Sequence, residues 1–231
     1  MKVYYEHYEK KPEDYTVTNY FNAKEVPKWW KELTPFINGY KSLKEFFKKN
    51  GLYGSGEGFP ITAKICPSLN LLFKNSIQVK SPAEIYIECD ESGWCWKSSN
   101  SEITIVEHPN EQAPKYLGEK YFFIKFVFPF RYATNENCSL VIQDPILYNQ
   151  AAYRICPAVT KINANTPMQM NIIALLEKPK ERTIYHINFG DTLALLSYSK
   201  EINSLTHKKL PKNTYEIRKT FLGAYKKIWN L

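Results

Sequence analysis

The feature of this sequence that most restricts its fold is a series of short strand-like segments between residues 60 and 200. They are rich in aromatic and β-branched residues, and turn residues such as Ser81-Pro82 and Glu91-Ser92-Gly93 separate them. The segments are residues 61–66, 77–80, 83–90, 94–97, 102–107, 121–130, 138–143, 159–163, 168–176, 183–189 and 193–199. No helix of crossover length lies between them, so the series predicts a mainly β fold, an antiparallel β-sandwich or jelly roll.

Two of these segments show how the sheets would be buried. Residues 121–130 are apolar on both faces, which is typical of a strand inside the core. Residues 83–90 alternate instead, so that one face would be buried and the other would face solvent. The predicted inner face carries Ile85, Ile87 and Cys89, and the predicted outer face carries Glu84, Tyr86, Glu88 and Asp90.

Helices are predicted on both sides of the β region. Near the N-terminus, residues 26–33 form a short helix with Pro27 in its first turn, and the pair Ser42 and Glu45 is a capping box that opens a second helix. Near the C-terminus, residues 205–213 read as a linker and 213–231 as an amphipathic helix. The predicted organisation is an N-terminal extension (1–59), a β core (60–200) and a basic C-terminal part (201–231), together forming one compact domain.

The formal net charge of +8 allows two interpretations, lysines that attract phosphates or an acidic protein surface, and a solvated helix whose lysines only keep the protein soluble. Residues 200–231 hold eight basic and two acidic side chains, so most of the excess positive charge lies in this segment. This segment is predicted to bind a protein partner, with nucleic acid as a second class of partner. The lysines proposed for that contact are Lys208, Lys209, Lys219, Lys226 and Lys227.

The cysteines and the hydropathy pattern predict a cellular setting. The five cysteines are scattered without a Cys-x-x-Cys pair, which favours free thiols in a reducing compartment. The sequence shows neither a signal peptide nor an apolar run long enough to cross a bilayer. We therefore expect an intracellular protein with no membrane contact, and oligomer formation is left open.

No complete catalytic motif is present, and the weak candidates are His186, Asp191, Asp90 and Glu91. Iron oxygenases of the jelly-roll class need His-x-Asp, whereas His186 is followed by Ile-Asn. No nucleophile motif accompanies these side chains. The sequence therefore predicts no metal and no cofactor, and it favours a protein without catalytic activity.

The residues Asp90 and Glu91 stand beside Trp94 and Trp96, and this grouping allows two interpretations. Two acids next to two indoles could form a sugar site, with the rings stacking on the sugar. The simpler interpretation is a hairpin turn at Asp90–Gly93 followed by a strand that carries both tryptophans on one face.

Three segments resemble an uncharacterised family of proteins encoded by tailed marine phages, chiefly cyanophages with large contractile-tailed particles. They are Pro27-Lys-Trp-Trp-Lys-Glu-Leu33, then residues 61–85 with Lys64-Ile-Cys-Pro67 and Ser81-Pro82, and finally Phe189-Gly-Asp-Thr-Leu-Ala-Leu-Leu196. The last segment departs from the family's Gly-Thr-Pro at Asp191. The resemblance implies a phage setting, with the protein in the host-cell cytoplasm or in the virion, and it supplies no activity.

The segment from Phe189 to Leu196 also looks like the Gly-Asp-x-x-Ala strand of trimeric dUTPase-like jelly rolls, which implies a strand that closes a β-barrel. The Arg-Ser-Ser and Gly-Phe-Gly motifs of those enzymes are missing here. The leading hypothesis is thus a non-catalytic phage protein, either a virion component or a binder of a host or viral macromolecule. The alternative is a jelly-roll enzyme or a protein that binds a nucleotide or a sugar.

Overall fold

The computed structural model describes residues 1–7, 21–23, 26–36, 39–50, 62–109, 114–145, 153–162, 167–208 and 210. Within them the fold is mainly β and sandwich-like, as predicted, and fourteen strands form three sheets. All strand pairs but one are antiparallel, and the sheets do not close into a barrel. The closed barrel implied by the resemblance to dUTPase-like proteins is therefore wrong for this chain.

The large sheet is organised around one long central strand. In sheet order its strands are β14 (Ser204–His207), β1 (Lys2–His7), β7 (Tyr121–Thr134), β11 (Met168–Glu177) and β9 (Tyr153–Ile155), and β6 (Thr104–Glu107) also pairs with β7. The strand β7 extends four residues past its predicted end. Its even-numbered side chains enter the core, where Phe126 and Phe128 are fully buried, whereas Lys125 and Val127 on the other face are only half-buried.

The second and third sheets complete the β body. The second sheet has the order β10 (Ala158–Ile162), β8 (Cys138–Gln143), β13 (Thr192–Tyr198), β3 (Ser76–Lys80) and β2 (Phe21–Ala23). The small sheet has the order β12 (Thr183–Ile187), β4 (Ile85–Cys89) and β5 (Trp94–Ser98). One apolar cluster joins all three sheets, since it contains Phe126, Leu196 and Ile87.

A group of short helices, which we call the helical layer, occupies the described residues between 26 and 75. It consists of α1 (Lys28–Glu32), α2 (Leu43–Asn50), a 3-10 helix (Ala63–Ile65) and α3 (Pro67–Lys74). Half of the predicted capping box is present: the Glu45 backbone N–H donates to Ser42 Oγ at 3.2 Å, whereas Glu45 Oε2 accepts from the Lys41 N–H at 2.9 Å. The side chains of Trp30, Phe46 and Phe73 are buried in this layer, outside the cluster that joins the sheets.

The strand predicted at residues 61–66 is wrong. The described part of this segment forms the 3-10 helix, and α3 follows it directly. Pro67 takes the first position of α3, where the missing N–H costs no hydrogen bond. A further short helix, α4 (Lys115–Lys120), leads into β7.

The C-terminal part begins as a strand where the sequence predicts a linker. The strand β14 pairs in parallel with β1, so that Lys2 lies opposite Ser204 and Tyr5 opposite His207. Beyond it, the Leu210 backbone N–H donates to Glu6 Oε2 at 3.1 Å, and Glu6 also pairs with the buried Arg131. The predicted amphipathic helix lies outside the described residues. No helix that the structure describes has the length and apolar character to span a membrane.

Candidate functional site

The small sheet and its hairpin turn carry five of the six residues predicted for catalysis or sugar contact. The hairpin of β4 and β5 contributes Asp90, Glu91, Trp94 and Trp96, and β12 contributes His186. The β-branched, alternating sequences of these strands fix the register, so that Ile87 pairs with Trp96 on one side and with Tyr185 on the other. The two faces of this sheet therefore carry different chemistry.

The Asp90 carboxylate is used by its own turn. Its Oδ1 accepts hydrogen bonds from the Ser92 hydroxyl at 2.6 Å, the Ser92 N–H at 2.7 Å and the Gly93 N–H at 3.1 Å. The Ser92 hydroxyl, and then the two backbone N–H groups, lower the pKa of Asp90. This geometry confirms the predicted hairpin turn, and Glu91 is exposed within it.

Asp191 caps a second turn at the opposite end of the sheet. Its Oδ2 accepts from the Asn188 N–H at 2.9 Å and from Asn188 Nδ2 at 3.0 Å, and Gly190 has a φ of 83° that suits glycine. The strand β4 separates this turn from Asp90, and its five residues span roughly 15 Å. The structure therefore does not bring Asp191 together with Asp90 and Glu91.

The two tryptophans and His186 lie on opposite faces of the small sheet. Trp94 and Trp96 share the inner face, as predicted, and pack half-buried against the core cluster. His186 lies on the outer face, where its ring stacks on Tyr86 with centroids 4.4 Å apart and an interplanar angle of 5°. The sugar contact of the tryptophans stays a prediction.

The outer face of the small sheet is exposed and carries apolar and aromatic groups. The side chain of Tyr86 is 43% exposed and that of Ile184 is 60% exposed. Both lie next to Glu88: Tyr86 is two residues before it on β4, and Ile184 is its cross-strand partner on β12. Arg182 Nε lies 2.7 Å from Glu88 Oε1, and this hydrogen bond is the main cause that lowers the pKa of Glu88. We define the outer face as Tyr86, Glu88, Cys95, Lys97, Arg182, Ile184 and His186.

Sequence reasoning found His186 and missed Tyr86 and Ile184. The alternation of residues 83–90 already indicates that Tyr86 points outward, but this pattern alone does not show that it has an aromatic neighbour. The sequence carries no signal for Ile184, because the apolar and aromatic residues of 183–189 fall on both faces of the strand. The cross-strand register supplies both contacts.

Among the predicted partner-binding lysines, Lys208 alone lies within the described residues. It is exposed, its N–H donates to the Tyr5 carbonyl at 2.9 Å, and its Nζ lies 4.9 Å from the centre of the Tyr4 ring. Lys209, Lys219, Lys226 and Lys227 lie outside the described residues. Their contact with a partner stays a prediction.

The cysteines lack the features of a nucleophile or a metal site. All five are free thiols, as predicted. Burial raises the pKa of Cys89, Cys138 and Cys156, which disfavours the reactive thiolate. In the described part of the chain, no three His, Cys, Asp or Glu side chains gather where they could hold a metal ion.

A cleft of about 430 Å³ opens at the end of β8 and β10, away from the predicted site residues. Its described lining holds one cation, Lys161, and no histidine or carboxylate. The lining residues are Asn137, Cys138, Ser139, Lys161, Ile162 and Ser199. This lining offers neither of the acid–base groups that the enzyme alternative requires.

No protein-family model matches the chain, and no curated protein matches its sequence.

Proposed function

We propose that this chain is a non-catalytic binding protein that docks onto another protein through the outer face of the small sheet. One observation carries the proposal: the predicted acids cap two separate turns, while Tyr86, His186 and Ile184 lie exposed together. The acids support the fold, and the exposed groups offer a contact surface.

The composition of the outer face suits a protein partner. Aromatic side chains and arginine are enriched in the centres of protein interfaces, and a rigid ring supplies much contact area at little cost in conformational entropy. The stack of His186 on Tyr86 holds both rings in place before binding. The ion pair of Arg182 and Glu88 can order the neighbouring edge of the contact.

The resemblance to phage proteins supplies the setting of this proposal. Within it, the protein is a virion component or a binder of a host or viral macromolecule, and its body is a jelly-roll variant of the sandwich. The basic C-terminal lysines would add an electrostatic contact to the same partner or to a second one.

Mass spectrometry of purified particles and of infected-cell lysate tests the setting. A virion component would be present in particles at a fixed copy number, and a host binder would be abundant in cells and absent from particles. A chain that is found in neither sample would contradict the phage assignment.

A double variant, Tyr86→Ala with Ile184→Ser, tests the surface in whichever sample contains the protein. We expect the double variant to be missing from purified particles, or to recover no cross-linked partner from cells. The reason is that it removes the exposed apolar area of the outer face. The matched control is Tyr116→Ala on α4, which removes a ring that is 69% exposed elsewhere. Unchanged association of the double variant would overturn the docking surface.

A further inference from the structure

The free edge of the small sheet carries backbone groups without a strand partner. The strand β12 is the last strand on its side of this sheet, and β4 is its neighbour. The two strands stay in register over all five residues of β12, from Thr183 opposite Cys89 to Ile187 opposite Ile85. The other side of β12 is therefore an unpaired strand edge within the described residues, and we call it the β12 edge.

The hairpin of β4 and β5 shows which backbone groups of β12 face this edge. The Ser99 N–H donates to the Glu84 carbonyl at 3.0 Å, so the even-numbered residues of β4 direct their backbone groups toward β5. The odd-numbered residues of β4 direct theirs toward β12, where they meet Thr183, Tyr185 and Ile187. The N–H and C=O groups of the two residues between these three therefore point away from the sheet.

Those two residues are Ile184 and His186, and both are exposed. Their four outward N–H and C=O groups have no hydrogen-bond partner in the described part of the chain. An unpaired edge is a template for one more strand, and natural sheets commonly oppose such pairing with a charged side chain on the edge strand. Two other edge strands of five residues have one, Lys97 on β5 and Lys161 on β10. The strand β12 has no lysine, arginine, carboxylate or proline, so its edge is open to pairing.

An antiparallel second copy fits the backbone geometry of the β12 edge. If two copies pair symmetrically around Tyr185, the backbone groups of Ile184 lie opposite those of His186 in the second copy. The same holds with the copies exchanged, so the four outward groups of each copy all gain partners. A two-fold axis thus makes this edge complementary to itself.

The charges beside the edge also fit a second copy. In the register centred on Tyr185, Arg182 of one copy lies opposite Asn188 of the other. The Arg182 side chain is 72% exposed, and Asn188 Nδ2 donates to Asp191 Oδ2 at 3.0 Å. A cation of each copy therefore approaches a carboxylate of the other at both ends of the contact, which favours this pairing over that of an unrelated strand.

We infer that two copies of this chain associate through the β12 edge and join their small sheets into one six-stranded sheet. The contact consists of one short strand from each copy, so we expect a weak dimer that dissociates on dilution. The two outer faces would then lie side by side on one surface. Association needs no other partner, so this inference and the docking of the outer face can fail independently.

The first experiment measures the molecular mass of the purified full chain by sedimentation velocity from micromolar to millimolar concentration. The test variant is Ile184→Pro, which removes an N–H from the β12 edge. We expect roughly thirtyfold weaker association, since the symmetric contact loses two hydrogen bonds. The fold should accept the change, because proline is tolerated on an edge strand where the N–H faces solvent. Ile184→Ala keeps the N–H and should weaken association less.

The matched control is Val159→Pro on the edge strand β10, where Val159 is 73% exposed. Its N–H also points away from its sheet. The Ser199 N–H donates to the Ser139 carbonyl, so the odd-numbered residues of β8 face β13, and Val159 lies opposite one of them. We expect the control to associate as the unmodified chain does, and equal weakening in both proline variants would overturn the inference. A chain that stays monomeric at every concentration would also overturn it and would leave the edge to a strand of a different protein.

Amide hydrogen exchange of the unmodified chain tests the contact without any substitution. We expect the Ile184 and His186 N–H groups to exchange more slowly at high protein concentration than at low concentration. The outward Val159 and Lys161 N–H groups should exchange at the same rate throughout. A dimer with unchanged exchange at Ile184 and His186 would show that the copies meet elsewhere and would overturn the inference. Circular dichroism confirms that each proline variant is folded.

Discussion

The hydrogen bonds of Asp90 show why a carboxylate beside two tryptophans need not be a catalytic group. Three donors from its own turn surround Oδ1, and they stabilise the ionised carboxylate. A general acid needs the opposite, a raised pKa and a proton to donate. The contacts of Asp90 therefore stabilise the hairpin turn and do not suit a general acid.

This arrangement makes Asp90 a pH-dependent contributor to stability. Its pKa is lower in the folded state, so its contribution is present above the unfolded value of about 3.9 and is lost as the pH falls through the folded value. We expect Asp90→Ala to lower the melting temperature at pH 7, and the difference from the unmodified protein to shrink near pH 3. Thermal unfolding followed by circular dichroism at both pH values measures this.

The control for this prediction is Glu91→Gln, which changes the neighbouring exposed carboxylate. It should leave the melting temperature almost unchanged at either pH. An Asp90→Ala effect as large at pH 3 as at pH 7 would show that the carboxylate charge plays no part in the turn.

At the level of residues, the sequence predicted the parts of the site that depend on local chemistry. The turn at Asp90 and the shared face of Trp94 and Trp96 follow from spacing alone, and both are confirmed. The stack of Tyr86 on His186 joins two strands that are a hundred residues apart in sequence. No local pattern encodes which strand pairs with which, so this contact required the fold.

At the level of elements, β7 is the strand on which the large sheet depends. The strand β11 pairs with nearly all of it, from Tyr121 to Tyr132, whereas β6 and β1 pair with two successive parts, residues 124–127 and 130–134. Its even-numbered face consists of large aromatic side chains that reach the core cluster. A cavity in this face would therefore remove contacts with several strands at once.

We expect Phe128→Ala to lower the free energy of unfolding by about 3–5 kcal/mol, because it empties the space of a fully buried ring. Val127→Ala is the matched control on the same strand, since its half-buried side chain lies on the other face. It should cost much less. Urea unfolding compares the two variants, and similar losses would contradict the assigned faces of β7.

The predicted strand bounds are confirmed where the pattern of apolar residues is long and regular, and they are wrong where that pattern is short. The segment 138–143 has the bounds of β8, and residues 168–176 differ from β11 by one residue. Residues 61–66 misled because their apolar residues suit a strand, whereas Pro67 sets the start of a helix. The strand β14 was not predicted, because it has only four residues and lies next to lysines. Its partner β1 is far away in sequence, so the local sequence does not indicate the pairing.

At the scale of the whole molecule, the shared core determines how the protein unfolds. Side chains from all three sheets belong to one cluster, so no sheet can separate without exposing apolar surface of the others. We expect one cooperative transition in urea, with coincident curves from far-ultraviolet circular dichroism and from tryptophan fluorescence. Two separated transitions would show that the β body consists of independent units.

The distribution of charge is also a property of the whole molecule. Residues 1–60 have a net charge of +2, since residues 1–25 carry five acids and four lysines, and residues 26–60 carry six lysines and three acids. A division by sequence position therefore attributes nearly all the excess to the C-terminal part. Between residues 26 and 75, however, the described residues hold eight lysines and two glutamates, so part of the excess lies in the helical layer.

The pairing of β1 has a consequence for the time course of synthesis. The strand ends at His7, yet its partners β7 and β14 begin at Tyr121 and Ser204. At translation rates of about 5–20 residues per second, β1 waits roughly 6–23 s for β7 and roughly 10–40 s for β14. During that interval Val3 and Tyr5, buried in the finished fold, lack their sheet partners on the ribosome. The nascent chain thus offers chaperones an unpaired apolar segment, and the large sheet is completed only after Ser204–His207 have been synthesised.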